Sequence, residues 1–120
     1  MMNAERLRRA GIDYEAGVKR FQGDAELYET VLTAFLKETI LEDAQSAFER
    51  GDRNALLRCV HELKGSCGNA DMTDLYAVSC ELVSLLRDDA GTDKDLEGLF
   101  TKLKNTYITA REGIRAAKEK

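Results

Sequence analysis

The chain has 120 residues, 43% of them hydrophobic, which is enough for one domain with one core and too little for two. Its 18 basic and 22 acidic residues give a formal charge of −4, and the basic residues are scattered among acidic ones. The sequence therefore lacks a basic stripe that could follow a phosphate backbone, which argues against nucleic acid as a partner. We expect a single domain over residues 1–120.

No apolar run is long enough to cross a bilayer, and residues 1–10 lack the apolar segment of a signal peptide. We therefore expect a cytoplasmic protein with no membrane partner, and the two starting methionines favour a separate protein. Cys59, Cys67 and Cys80 are odd in number and lack CxxC spacing, which predicts reduced packing residues and neither a disulfide framework nor a zinc site.

The chain contains no proline, and its apolar residues recur at helical spacing between Gly-Asp and Asp-rich breaks, which predicts helices. Asp13 is placed to cap a short helix within residues 11–17, which we expect to close one end of the fold. Asp24 can cap a long helix that Gly51 ends. The apolar stripe of that helix consists of Leu27, Tyr28, Val31, Leu32, Phe35, Leu36, Ile40, Ala44, Ala47 and Phe48.

Three more helices follow in the pattern. Asp52 starts one with Leu56, Val60, Leu63 and Cys67 in register, and Thr73 starts the next. Residues 88–92 interrupt the pattern before a last helix, which we expect to fray in the charged tail 118–120. Four amphipathic helices joined by short turns predict an all-α fold, an antiparallel four-helix bundle with a short N-terminal helix.

The only histidine, His61, lies in the helix that begins after Asp52. At ~100° per residue it points roughly 130° away from the apolar stripe of that helix, so it faces outward. Lys64 lies at its flank, and Gly65 and Gly68 lie on its side of the helix. Two glycines inside a helix each cost ~1 kcal/mol relative to alanine, and here they leave the imidazole unshielded.

An imidazole nitrogen is a good nucleophile near neutral pH, and a nearby ammonium can steady the negative charge of an attached phosphoryl group. His61 and Lys64 supply these two groups. The arrangement suits a side chain that another protein must reach.

The run from His61 to Ser66, His-Glu-Leu-Lys-Gly-Ser, resembles the His-x-Leu-Lys-Gly-Ser core of the histidine-containing phosphotransfer (HPt) domains of phosphorelays. The similarity extends upstream to residues 49–52 and 17–21 and covers most of the chain. It implies a four-helix bundle, phosphorylation of His61, and docking of receiver domains of response regulators and hybrid histidine kinases. By the same resemblance, Lys64 would stabilise the phosphoryl group and Gly65 would leave space for the partner.

The sequence departs from the family pattern at Asp71, where the family often has a glycine. Aspartate tolerates turn conformations, so we expect the departure to affect the turn more than the function.

The chain has no glycine-rich nucleotide loop and is too short for an ATPase domain, so we do not expect it to phosphorylate itself from ATP. We expect a phosphocarrier that is not an enzyme and needs no cofactor. We also expect it to be a monomer. The carboxylates and Mg²⁺ for transfer would come from the receiver domain. One alternative is a helical adaptor that binds signalling partners without phosphotransfer. A metal-binding bundle is disfavoured by the single histidine and the lack of a Glu-x-x-His pair.

Overall fold

The computed structural model of the protein describes residues 1–88 and 91–118. Within these residues the chain forms helices and no strand, so the expected all-helical class is confirmed. The helices are α1 (Ala4–Arg9), α2 (Tyr14–Arg20), α3 (Ala25–Phe35), α4 (Ile40–Glu49), α5 (Arg53–Asn69), α6 (Thr73–Arg87) and α7 (Asp93–Lys118). The molecule measures 43 × 24 × 20 Å and is therefore elongated.

Side-chain caps begin five of these helices. At the start of α1, the Asn3 side-chain oxygen accepts a 3.1 Å hydrogen bond from the Arg6 N–H. Asp13, Asp24 and Asp52 each accept a 3.0 Å hydrogen bond from the backbone N–H three residues further on, as the sequence predicts. Before α7, the Thr92 N–H donates to the Asp95 carboxylate at 2.8 Å, and the Asp95 N–H donates to the Thr92 hydroxyl at 3.1 Å. These bonds satisfy backbone donors that have no partner inside the helix, and so fix where each helix begins.

The single long helix expected between Asp24 and Gly51 is wrong, because the chain breaks there into α3 and α4. Continuing the buried stripe of α3 in three- and four-residue steps would bury three polar residues, namely Thr39, Glu42 and Ser46. The break changes the phase, and α4 instead buries Leu41, Ala44 and Ala47. Gly51 ends α4 with a φ of 68°, as expected.

The core consists mainly of buried apolar side chains from α1 and from α3 to α7. The side chains that α5 buries are those of its predicted stripe, Leu56, Val60, Leu63 and Cys67. The helix packs against α4 and α6, α6 packs against α7, and α1 covers part of α7. The sequence pattern does not predict α1, whose one buried side chain is Leu7.

The break expected at residues 88–92 is described only in part. Asp88 caps the end of α6, and Gly91 has a φ of 78°. Residues 89 and 90 lie outside the described residues, as do 119 and 120 of the tail that we expect to fray. Among the helices that the structure describes, none is long and apolar enough to span a membrane.

The thiols of Cys59, Cys67 and Cys80 are free. Burial raises the pKa of the Cys67 thiol to about 11, which keeps it protonated at neutral pH. Cys67 therefore behaves as a small packing residue behind the outward face of α5.

Candidate functional site

His61 lies on the exposed side of α5, whereas its neighbours Val60 and Leu63 are buried in the core. Because α5 packs against α4 and α6 on its buried side, the imidazole projects into solvent from a helix that is fixed in position. A partner can reach the ring without any rearrangement of the core. This is the placement a nucleophile needs if its substrate is carried by another protein.

The candidate residues from the sequence come together in one groove. His61, Lys64, Gly65 and Gly68 all line a surface groove of about 580 Å³ between α2, α5 and α6. The groove also contains Arg20 from the end of α2, Asp71 from the turn after α5, and Tyr76 from α6. Those three residues were not among the sequence candidates.

Lys64 is half-buried beside His61, three residues further along α5. No hydrogen bond or ion pair holds its ammonium within residues 1–88 and 91–118. Side chains three apart on a helix lie on the same face, so this cation is available to an anion at the imidazole. The arrangement can therefore offset the charge of a phosphoryl group on His61.

The two glycines near His61 differ in what surrounds them. A Cβ built on Gly65 meets nothing within 4 Å, so position 65 borders open space. A Cβ built on Gly68 would lie 2.9 Å from two ring atoms of Tyr76. Gly65 thus leaves room for an incoming molecule, whereas the room at Gly68 is already taken by the Tyr76 ring. Sequence reasoning missed this packing because Tyr76 lies on another helix.

Arg20 and Asp71 form one wall of the groove. The Arg20 Nε donates to the Asp71 carboxylate at 2.8 Å, and its Nη2 donates to the second oxygen at 3.2 Å. This hydrogen-bonded pairing with Asp71 raises the pKa of Arg20. Asp71 has a φ of 54°, so aspartate adopts the left-handed conformation that a glycine would take at no steric cost.

The turn between α5 and α6 is tied to the N-terminal part of the chain at further points. The Asp13 N–H donates to the Asp71 carbonyl at 2.9 Å. The Thr73 hydroxyl and the Asp74 N–H both donate to the Gly11 carbonyl, at 3.0 and 3.2 Å. The groove wall is therefore held by the segment that precedes α2.

Tyr28 supports the end of α5 from inside the core. Its ring fills the space beside Gly17, where a Cβ would come within 2.0 Å of the ring. Burial is the main reason that the pKa of Tyr28 is raised far above its ordinary value, so the phenol remains a hydrogen-bond donor.

The described residues contain no cluster of three or more histidine, cysteine, aspartate or glutamate side chains that could hold a metal ion. The groove brings the His61 imidazole together with the Lys64 ammonium, while its guanidinium, that of Arg20, is hydrogen-bonded to Asp71.

A comparison with protein-family models matches the Hpt domain over residues 21–113, more than three quarters of the chain. The chain belongs to the Hpt domain family. Hpt domains take part in the histidine phosphotransfer of phosphorelays and act as phosphocarriers. The match begins one residue after Arg20, and its range includes the candidate residues His61, Lys64 and Gly65. No curated protein and no solved structure matched the chain.

Proposed function

We propose that this protein is the histidine phosphotransfer component of a two-component phosphorelay. His61 accepts a phosphoryl group from the aspartate of one receiver domain and donates it to the aspartate of another. The observation that carries the proposal is an exposed imidazole on a packed helix, with the Lys64 ammonium and the open space at Gly65 beside it, in a chain of the Hpt family.

In the accepting step, the lone pair of the unprotonated ring nitrogen attacks the phosphorus of the aspartyl phosphate. The N–P bond forms while the P–O bond breaks, the electron pair returns to the aspartate carboxylate, and the other ring nitrogen keeps its proton. Lys64 offsets negative charge on the phosphoryl oxygens during this exchange. The receiver domain supplies the Mg²⁺ and carboxylates that align the reacting atoms.

Within this proposal, the chain forms one domain whose core is an antiparallel four-helix bundle. The segments α3 and α4 share one position of the bundle, and α5, α6 and α7 occupy the others. The packing of α5 between α4 and α6, and of α7 against both α3 and α6, supports this arrangement. The protein acts as a cytoplasmic monomer without an ATP site, so each phosphoryl group comes from a partner.

The test is to incubate the protein with phosphorylated receiver domains of the same organism and to look for acid-labile, alkali-stable phosphate on this chain. We expect phosphate on the wild type and none on His61→Gln, while both proteins keep the same helical content and melting temperature. Phosphate on the His61→Gln variant would refute the assignment of His61. Binding of receivers without any phosphate on the wild type would favour the helical adaptor instead.

A further inference from the structure

Tyr76 is an exposed aromatic side chain at the edge of the groove. Three large apolar side chains are exposed in the described part of the chain: Met1 at 89%, Leu27 at 48% and Tyr76 at 41%. Single exposed apolar residues are ordinary on protein surfaces. Of these three, however, only Tyr76 lines the groove that contains His61.

The position of the Tyr76 ring is fixed by its neighbours. Gly68 leaves just enough space for the ring, because a Cβ there would lie 2.9 Å from its Cδ1 and Cε1 atoms. The neighbouring Cys80 side chain, one turn along α6, is the main cause that raises the pKa of the Tyr76 phenol. The Cδ1 and Cε1 atoms of the ring lie against α5 at Gly68, while Tyr76 as a whole stays partly exposed to solvent.

We propose that Tyr76 is the apolar anchor through which this protein binds its receiver domain, and that Gly68 exists to position its ring. This inference rests on the proposed function. A tyrosine that is already held in place buries a large area on binding at a small cost in side-chain entropy, which is why such residues dominate interface energetics.

The charge around the anchor fits the same partner. The phosphoryl-bearing pocket of a receiver is acidic, and the half-buried ammonium of Lys64 in the groove is a cation of complementary charge. Because Tyr76 lines the same groove as His61 and Lys64, a receiver that reaches these two residues also comes within reach of the Tyr76 ring. The anchor then affects the affinity for the receiver and leaves the reactivity of the imidazole unchanged.

The experiment measures receiver binding and phosphoryl transfer separately. The probe is a panel of purified receiver domains of the same organism, with the tightest binder used throughout. For Tyr76→Ala we expect Kd and KM to rise about tenfold while the transfer rate at saturating receiver stays unchanged. Phosphorylation of His61 by phosphoramidate, which gives up its phosphoryl group and releases ammonia, should match that of the wild type because no docking is needed.

Two control variants test whether the effect belongs to the ring of Tyr76. Tyr76→Phe keeps the ring and should bind within about twofold of the wild type. Leu27→Ala removes a similarly exposed apolar side chain outside the groove and should leave Kd unchanged. A loss in Tyr76→Phe or in Leu27→Ala as large as that in Tyr76→Ala would overturn the anchor.

Gly68→Ala tests how the ring is positioned without changing the ring itself. The added methyl displaces Tyr76, so we expect weaker receiver binding in the wild-type background and no further loss in the Tyr76→Ala background. Additive effects of the two substitutions would overturn the role of Gly68.

The outcomes separate this inference from the proposed function. If the wild type transfers phosphate and Tyr76→Ala binds receiver as tightly as the wild type does, Tyr76 is not the anchor and the phosphotransfer function stands. If binding depends on Tyr76 but His61 never carries phosphate, the anchor stands and the function is wrong. If no receiver in the panel binds the wild type, both are overturned.

Discussion

Tyr28 on α3 donates a hydrogen bond of 2.6 Å from its phenol to the carbonyl oxygen of Ala70, 42 residues further along the chain. Ala70 caps the C-terminal end of α5, the helix that carries His61. Both residues are buried, so this bond satisfies a carbonyl that the helix itself leaves without a partner. A core residue of α3 thus holds one end of the helix that bears the candidate nucleophile.

Removing that hydroxyl should destabilise the protein. In Tyr28→Phe the ring still fills the space beside Gly17, but the Ala70 carbonyl loses its buried partner, which costs about 1–3 kcal/mol. We expect a lower urea midpoint with an unchanged slope. A midpoint equal to that of the wild type would show that the bond contributes nothing to stability.

Tyr107→Phe should have the opposite effect. Tyr107 is as fully buried as Tyr28, but its hydroxyl has no hydrogen-bond partner in the part of the chain that the structure describes. Losing an unsatisfied buried hydroxyl should hold or raise the free energy of unfolding. Because both changes are Tyr→Phe in the same core, each is the matched control for the other. A destabilised Tyr107→Phe protein would show that the Tyr107 hydroxyl makes a stabilising interaction after all.

The same residue gives a pH dependence. Burial raises the pKa of Tyr107 to about 12, whereas a tyrosine in the unfolded chain titrates near ~10. The contribution of neutral, folded Tyr107 to stability is therefore complete below pH ~10 and is lost as the pH rises from there towards 12. The stability advantage of Tyr107→Phe over the wild type should be larger at pH 11 than at pH 8, measured by urea unfolding at both. A smaller stability advantage of Tyr107→Phe at pH 11 than at pH 8 would contradict a raised pKa for Tyr107.

Lys64→Ala should slow phosphoryl transfer without unfolding the protein. A cation beside the developing phosphoryl charge lowers the barrier, whereas a lysine without an ion-pair partner changes stability by no more than about 0.5 kcal/mol. Lys104→Ala on α7, outside the groove, is the control and should transfer at the wild-type rate. Equal rates in the two variants would leave Lys64 without a role in transfer. Both rates are measured in rapid-quench assays at saturating receiver.

Gly65→Gln should block receiver docking while it holds or raises stability. The space beside Gly65 is open, and glutamine is a better helix former than glycine by several tenths of a kcal/mol or more. Gly98→Gln on α7 is a matched control, because a Cβ there also meets nothing within 4 Å. Both variants should melt at or above the wild-type temperature, but only Gly65→Gln should fail to bind receiver. Normal binding by Gly65→Gln would show that the open space is not used by the partner.

Local features of the sequence predicted much of this fold. The caps at Asp13, Asp24 and Asp52 were predictable because a cap depends on only three or four consecutive residues. The outward direction of His61 followed from the angle per residue and the position of the apolar stripe. The break between α3 and α4 was missed because Leu36 and Ile40 continue the three- and four-residue spacing of apolar residues. The sequence pattern does not show that the buried face of α4 is rotated relative to that of α3.

The residues that complete the groove could not be predicted in this way. Arg20 and Asp71 are 51 positions apart, and each alone resembles an ordinary surface charge. Gly68 and Tyr76 lie on different helices, so the fit of ring against backbone depends on how closely α5 and α6 approach. Such pairs are set by tertiary packing, which a periodic pattern on one helix does not contain.

The hydrogen bonds between the α5–α6 turn and the N-terminal segment limit how far this protein can be truncated. A fragment limited to residues 21–113 would lose Arg20 and Asp13, which together bind the side chain and the backbone of Asp71. It would also remove Leu7 and Ile12, which are buried in the intact chain. Gly113, which accommodates Ala10 so closely that a Cβ would lie 2.2 Å away, would be left uncovered at the new terminus. We therefore expect that a variant which keeps the groove beside His61 in shape must include α1 and the residues up to Arg20 in addition to residues 21–113.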